Sequence, residues 1–359
     1  MIRVGLVGFG LAGRVFHAPL ISSVEGYEFV SVVERSTNEA EKRYPGIKTV
    51  RSVEELLADK TIQLIIVASP NATHYDFTRK ALEAGKHVVV DKPMAMLSIE
   101  IAEIIPLAAS KKLFAIPFQN RRWDSDFLTL QKVLREGSLG RIVHFTSCMD
   151  RWTPGAPRVQ WKNDQSHGGI LYDLGTHLVD QALVLFGNPL GVSAEVLRER
   201  DGEGPNDSFI IRLRYATHRV TLGSNLLSAI PGFRYSLRGS KGGFRKNGID
   251  PQEVALSKIT RIDNPNWGHE PVSEWGIKHI DLDGGIDTET VESIPGDYRQ
   301  FYIQLHEAIE GKSATPTNVA EAWRTAKILE WAQQSAADRK EIECDWSEDP
   351  QKSCFTIYG

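Results

Sequence analysis

Up to Ile116 the chain alternates two textures. Short apolar runs rich in β-branched residues predict strands at Ile2–Val7, Phe29–Val33, Ile62–Ala68, His87–Val90 and Leu113–Ile116. Between them, helical spacing of apolar positions predicts helices near Leu11–Ser22, Thr37–Arg43, Thr73–Ala84 and Ser98–Ser110. Leu64–Ala68 and Val88–Val90 are apolar without alternation, as strands buried on both faces must be when helices cover each side of a parallel sheet. This order predicts an α/β, doubly wound domain over residues 1–120.

After Arg121 the pattern changes. A helix near Asp126–Glu136, a strand over Arg141–Cys148 and a helix near Tyr172–Phe186 lead to alternating runs at Gly191–Leu197, Ser208–Tyr215, Arg219–Ser224 and Arg234–Arg238. Short turns such as Ala216-Thr217-His218 imply an antiparallel sheet, so residues 121–359 read as an α+β domain. The turn-rich stretch Asn264–Gly276 reads as a surface excursion, its two tryptophans covering the sheet edge or lining a cleft or subunit contact. Helices over Asp297–Glu310 and Asn318–Ala336 close the pattern, and the C-terminal helix is free to pack back on the first domain.

Composition narrows the partners. The chain has 359 residues, enough for two cores, with 41% hydrophobic and 25% charged residues, which argues against disorder and fibrous repeats. A net charge of −4 with interspersed signs argues against nucleic acid and anionic membrane and for a small-molecule partner. The three cysteines, Cys148, Cys344 and Cys354, have neither metal-ligand nor disulfide-framework spacing, which fits a reducing cytoplasm. The apolar start is interrupted by glycine and followed by Arg14 and His17, so it reads as strand and turn rather than signal peptide.

The candidate chemistry starts right after the first strand, at Gly8-Phe9-Gly10-Leu11-Ala12-Gly13, a G-x-G-x-x-G that opens a helix. Gly8 permits the tight turn, Gly10 lets backbone amides approach a pyrophosphate, and Gly13 allows close packing of helix on strand. Glu34, at the end of the second strand, falls where an acid accepts bonds from the ribose hydroxyls, which favours NAD. Arg35, suited to stacking on adenine and pairing with a 2′-phosphate, and Ser36 pull towards NADP, so both cofactors stay open with Glu34 tilting the reading to NAD. Ser69-Pro70-Asn71 ends another strand, with Asn71 placed to cap the next helix and His74 close behind, on the ribose or nicotinamide side.

Two further groups suit proton transfer. Asp91-Lys92-Pro93 leaves a strand at the same crevice edge, and Pro93 fixes the direction of the lysine stem. In Gly168-Gly169-Ile170-Leu171-Tyr172-Asp173-Leu174-Gly175-Thr176-His177, Asp173 and His177 are four apart on a helix, so the carboxylate can orient the imidazole. Oxidising a secondary alcohol needs a group that holds the oxygen and one that takes its proton, and Lys92 with His177, oriented by Asp173, fill those roles. With no second His or Cys at ligand spacing, no metal site is expected there.

These motifs, in this order, resemble the Gfo/Idh/MocA oxidoreductase family: the glycine loop, Asp91-Lys92-Pro93 beside the family's E-K-P, and Gly168 to His177 beside its G-G-x-x-x-D-x-G-x-H. The resemblance implies an N-terminal Rossmann domain and a C-terminal domain on an open, mostly antiparallel sheet. Phe118 to Asp124 and Arg238 to Gly242 are similar to the branch containing NADP-dependent scyllo-inositol dehydrogenases. It implies catalytic roles for Lys92, Asp173 and His177, and places Asn120, Trp123 and Trp161 near cofactor or substrate. Asp91 stands where the family has Glu and Glu34-Arg35-Ser36 where the branch has Ser-Arg. The implied activity is hydride transfer between NAD(P) and a sugar or inositol-like polyol by a cytoplasmic homodimer or homotetramer. The family also contains cofactor-binding regulators without chemistry, and glycosidases or lyases that recycle their cofactor internally.

Overall fold

A computed structural model describes residues 1–155, 169–282, 285–351 and 357–358. Trp161 and Gly168 lie outside the described residues. Contacts divide the chain into two units.

The first unit holds a parallel sheet of β1 (Ile2–Val7), β2 (Tyr27–Val33), β3 (Lys48–Val50), β4 (Leu64–Val67), β5 (His87–Val90) and β6 (Ala115–Pro117). Among the described residues its order is β3-β2-β1-β4-β5-β6 with every pairing parallel, the doubly wound arrangement. All four residues of β4 and Val88 to Val90 of β5 are fully buried, which accounts for their unbroken apolar pattern. Strand β3 and the helix Val53–Ala58 were not expected from the hydrophobic pattern.

The first unit does not end near residue 120. It comprises 1–123, 251–267 and 297–323, so a boundary after residue 120 misassigns two segments. The reason is packing: Leu256, Ile262, Trp267, Tyr298, Phe301, Tyr302 and Leu305 join Val4, Leu6, Leu20 and Phe118 in one apolar cluster. Trp267 is therefore a core residue, with its indole N–H donating to Gln252 Oε1 at 2.8 Å, rather than part of a surface excursion.

The second unit is built on β7 (Ile142–Cys148), β8 (Gly191–Leu197), β9 (Ser208–Arg214), β10 (Arg219–Asn225), β11 (Tyr235–Gly239), β12 (Gly242–Lys246), β13 (Gly276–Leu282), β14 (Gly285–Val291) and β15 (Ile342–Glu343). Among the described residues the order is β14-β13-β12-β11-β7-β10-β9-β8-β15, antiparallel throughout except for the β7–β10 pair. In β9, Phe209, Ile211 and Leu213 are buried while Ile210 and Arg212 are exposed, the alternation of a sheet with one face on the core. The helix Thr176–Phe186 covers that face, with the rings of Phe186 and Phe145 5.4 Å apart.

Candidate functional site

Within the first unit, the loops at the carboxyl ends of β2, β1, β4, β5 and β6 are neighbours along the sheet. They carry, in that spatial order, Glu34-Arg35, Gly8–Gly13, Ser69-Pro70-Asn71, Asp91-Lys92 and Asn120. This is the edge where doubly wound sheets bind nucleotides.

The glycine loop is shaped by close backbone approach. Gly8 has φ +95°, and a Cβ there would lie 2.8 Å from the Ala68 carbonyl oxygen. A Cβ on Gly13 would lie 2.2 Å from the Gly8 carbonyl oxygen, so glycine is required where the helix crosses the strand. Gly10 differs: a Cβ on it would meet nothing within 4 Å, so the space in front of its backbone is open. The helix that starts at Leu11 has first-turn amides without intrahelical acceptors, a donor set that fits a pyrophosphate. Leu11 is exposed, Ala12 half-buried, and Phe9 turns to the core with its ring 6.3 Å from Tyr44. Gly13–His17 forms a π turn, not the plain α-helix expected.

Glu34 departs from expectation. It is buried, and its carboxylate faces the following helix: Oε1 accepts from Thr37 Oγ1 at 2.6 Å and the Glu39 amide at 3.1 Å, and Oε2 from the Ala40 amide at 2.9 Å. Arg35 and Ser36 are exposed.

Asn71 does not cap the next helix. It begins a 3₁₀ turn, Asn71–Thr73, while the hydroxyls of Ser69 and Thr73 lie 2.7 Å apart. His74 is buried, with Nδ1 2.7 Å from the Pro93 carbonyl oxygen and Nε2 2.8 Å from that of Ser69. It therefore joins two loops of the site and leaves no ring nitrogen for a cofactor. Asp91 Oδ1 accepts the Lys92 amide at 2.8 Å, both side chains are partly exposed, and the Lys92–Pro93 peptide is cis. Asn120 is buried in a 3₁₀ turn. Trp123 is buried in the core cluster, its ring edge-on to Phe301 at 5.8 Å.

His17, which no sequence motif marks as a site residue, ends the turn that follows the glycine loop and is fully buried, with Nδ1 2.7 Å from the Tyr302 hydroxyl. Burial lowers its pKa to about 4, against the raising field of Asp91. The ring shares a hydrogen bond with the Tyr302 hydroxyl through Nδ1, and Nε2 has no hydrogen-bond partner among the described residues. Only the G-x-G-x-x-G spacing, which puts His17 one turn beyond Gly13, hinted at it.

In the second unit Asp173 lies in a π turn, Leu171–Gly175, that runs straight into Thr176–Phe186, where His177 is buried. Gly169, at φ +92°, abuts Asn206, whose carbonyl and side-chain oxygens accept the Ile170 and Leu171 amides at 3.0 Å each. One turn past His177, Gln181 Oε1 accepts from Arg234 and Tyr235, each at 2.9 Å. Arg234 also reaches Asp126 at 2.7 Å and Ser147 at 2.8 Å, all of them buried. Asn206, Gln181 and Arg234 thus seat the helix; none formed a recognisable sequence motif. Cys148 and Cys344 are free thiols that burial pushes up to about 11 and about 12. Among the described residues no helix is long and apolar enough to cross a membrane.

A doubly wound sheet with a glycine loop fitted to a pyrophosphate, in one chain with a mostly antiparallel α/β unit, defines an NAD(P)-binding oxidoreductase. The family models agree: residues 2–117 match "Oxidoreductase family, NAD-binding Rossmann fold" and 131–344 "Oxidoreductase family, C-terminal alpha/beta domain". The chain belongs to the Gfo/Idh/MocA oxidoreductase family. It is 36% identical over 339 residues to the uncharacterized oxidoreductase YdgJ of Escherichia coli, covering 94% of this chain and 97% of that one. It is 33% identical to the scyllo-inositol 2-dehydrogenase (NADP(+)) IolW of Bacillus subtilis, covering 95% of each. The solved structure of YvaA from Bacillus subtilis has a TM-score of 0.92 at 33% identity, covering 96% of this chain and 99% of that one.

Proposed function

We propose that the chain interconverts a secondary alcohol and a ketone on a sugar or cyclic polyol, with Lys92, Asp173 and His177 as its catalytic residues. The observation that carries the reading is that Asp91-Lys92 leaves β5 two strands from the glycine loop, on the nucleotide-binding edge. Support for the substrate class comes from the 33% identity to a scyllo-inositol 2-dehydrogenase and weaker similarity, 26% over 264 residues, to the inositol 2-dehydrogenase of Rhizobium meliloti.

When bound, the nicotinamide takes up or gives back the hydride. The Gly8–Gly13 loop would hold the pyrophosphate, and Ser69, Asp91 and Asn120 lie at strand ends that suit the nicotinamide-ribose side. Lys92 donates a hydrogen bond to the substrate oxygen and stabilises the negative charge that grows there as the O–H proton leaves, before the hydride departs from carbon. His177 takes the hydroxyl proton, and Asp173 orients it and offsets its charge. A small-molecule substrate, a cytoplasmic location and assembly into homodimers or homotetramers belong to the same reading.

The test is a screen of inositols, aldoses and keto-sugars against NAD and NADP, read at the absorbance of reduced nicotinamide. With a substrate in hand, Lys92→Ala is expected to lower turnover about 10²- to 10⁴-fold with cofactor binding kept. Unchanged turnover removes Lys92 from the mechanism. Cofactor that stays bound through purification with no net turnover points to internal recycling.

A further inference from the structure

We infer that His74 is a positioning residue: it carries a proton on both ring nitrogens and, as an imidazolium, ties the Lys92 loop to the loop against which the glycine turn packs. The inference rests on the reading of Lys92 as a catalytic residue and deepens it.

A neutral imidazole has one N–H donor and one acceptor nitrogen. His74 faces two acceptors: Nδ1 lies 2.7 Å from the Pro93 carbonyl oxygen and Nε2 2.8 Å from that of Ser69. Either neutral tautomer satisfies one carbonyl and turns a nitrogen lone pair on the other at hydrogen-bond distance, where the two atoms repel. The ring is only 1% exposed, so bulk solvent does not relieve that clash. With both nitrogens protonated, each carbonyl receives a charge-assisted bond.

A buried cation needs compensation. The start of the helix His74–Glu83 disfavours one, and Asp76 in its first turn works against that. Asp91 supplies a second carboxylate, for it and His74 act with opposite signs on His17, which places the three groups in one cluster. Burial is the main cause that brings His17 to about 4; Asp91 raises it and the charge of His74 lowers it. The two buried histidines therefore hold opposite states, His17 neutral beside the Tyr302 hydroxyl and His74 charged between two carbonyls.

Those carbonyls belong to the loops that leave β4 and β5. Pro93 follows Lys92, so a bond to its carbonyl fixes the backbone at the base of the lysine side chain. Ser69 follows Ala68, whose carbonyl oxygen is the atom that a Cβ on Gly8 would meet at 2.8 Å. One ring thus spans from the lysine loop to the strand end that supports the glycine turn. Loss of one ring proton frees one of the two loops and lets Lys92 shift relative to the glycine loop, whose own backbone contacts stay as they are.

Proton–nitrogen-15 spectra of the full chain labelled at histidine read the ring directly near neutral pH, with His74 assigned through cross-peaks to Ser69 and Pro93. His74 is expected to show two protonated ring nitrogens and His17 one. The spectrum needs no variant, so it decides even where a substitution prevents folding. With a substrate from the screen in hand, His74→Gln, which keeps one donor, is expected to lower kcat about ten- to a hundredfold while NADH and NADPH binding by calorimetry stays within about threefold. A single protonated nitrogen on His74 overturns the inference and leaves the Lys92 reading intact, as does a folded His74→Gln protein with unchanged kcat. Unchanged turnover in Lys92→Ala overturns the Lys92 reading and, with it, the role given to His74.

Discussion

The glycine loop of the first unit and the Asp173–His177 helix of the second hold their functional groups by opposite means. The first is built from backbone: Gly8 against the Ala68 carbonyl, Gly13 against the Gly8 carbonyl, and helix amides facing open space at Gly10. The second is seated by side chains, with Arg234, Asp126, Gln181, Ser147 and Tyr235 forming a buried polar network beneath it. A backbone-built site is sensitive to an added Cβ and indifferent to most side-chain chemistry. A network-built site is sensitive to the loss of one charge, because the partner is left buried without compensation.

Four measurements break or sharpen that contrast. The largest effect is expected for Asp126→Ala, which strands the Arg234 guanidinium and should cost about 3–5 kcal/mol in denaturant unfolding. A loss under about 1 kcal/mol would mean the network is not what seats the helix. Next comes acid. His17 titrates at 6.5 when unfolded and at about 4 when folded, so the unfolded chain takes up the proton first as pH falls. Stability from this group is complete above pH 6.5 and falls through the window down to about 4, by roughly 3 kcal/mol in all. Unfolding curves from pH 7 to 4 should flatten in His17→Gln, and no flattening would show that the first unit carries no such buried titration.

Gly13→Ala ranks third. Alanine in a helix ordinarily gains up to about 1 kcal/mol over glycine, but a Cβ 2.2 Å from the Gly8 oxygen forces an overpacking cost of about 1–3 kcal/mol. A net loss of stability together with weaker dinucleotide binding is expected, and a gain in melting temperature would refute the close approach. Smallest is Arg79→Ala, which removes an exposed i,i+4 pair with Glu83 and should leave the denaturant midpoint essentially unchanged. An effect as large as that of Asp126→Ala would show that charge pairing, not burial, sets the scale.

The same contrast explains what was legible in the sequence. β1 and β5 matched their predicted limits, because strands buried on both faces write continuous apolar runs, and the glycine fingerprint is a local pattern. The helix Val53–Ala58 was signalled by Ser52-Val53-Glu54-Glu55, a capping box that the hydrophobic pattern overlooked; the Glu55 amide donates to Ser52 Oγ at 3.2 Å. β14 wrote no pattern, since every residue before Val291 is exposed and its pairing with β13 rests on the ladder. The burial of Glu34 and the coupling of Arg234 to Gln181, 53 positions apart, depend on contacts that spacing alone does not encode. The two π turns, at Gly13–His17 and Leu171–Gly175, share apolar spacing with ordinary helices and were read as such.

The first unit is assembled from three stretches of chain, the last ending at Trp323. A nascent polypeptide that has released only its first 123 residues lacks Tyr298, Phe301, Tyr302 and Leu305, so the apolar cluster has a missing wall. At about 5–20 residues per second, the ribosome needs roughly 10–40 s more to supply it. During that interval the apolar face of the sheet has no finished core to cover it, so an isolated fragment of the first 123 residues is a poor candidate for stable expression.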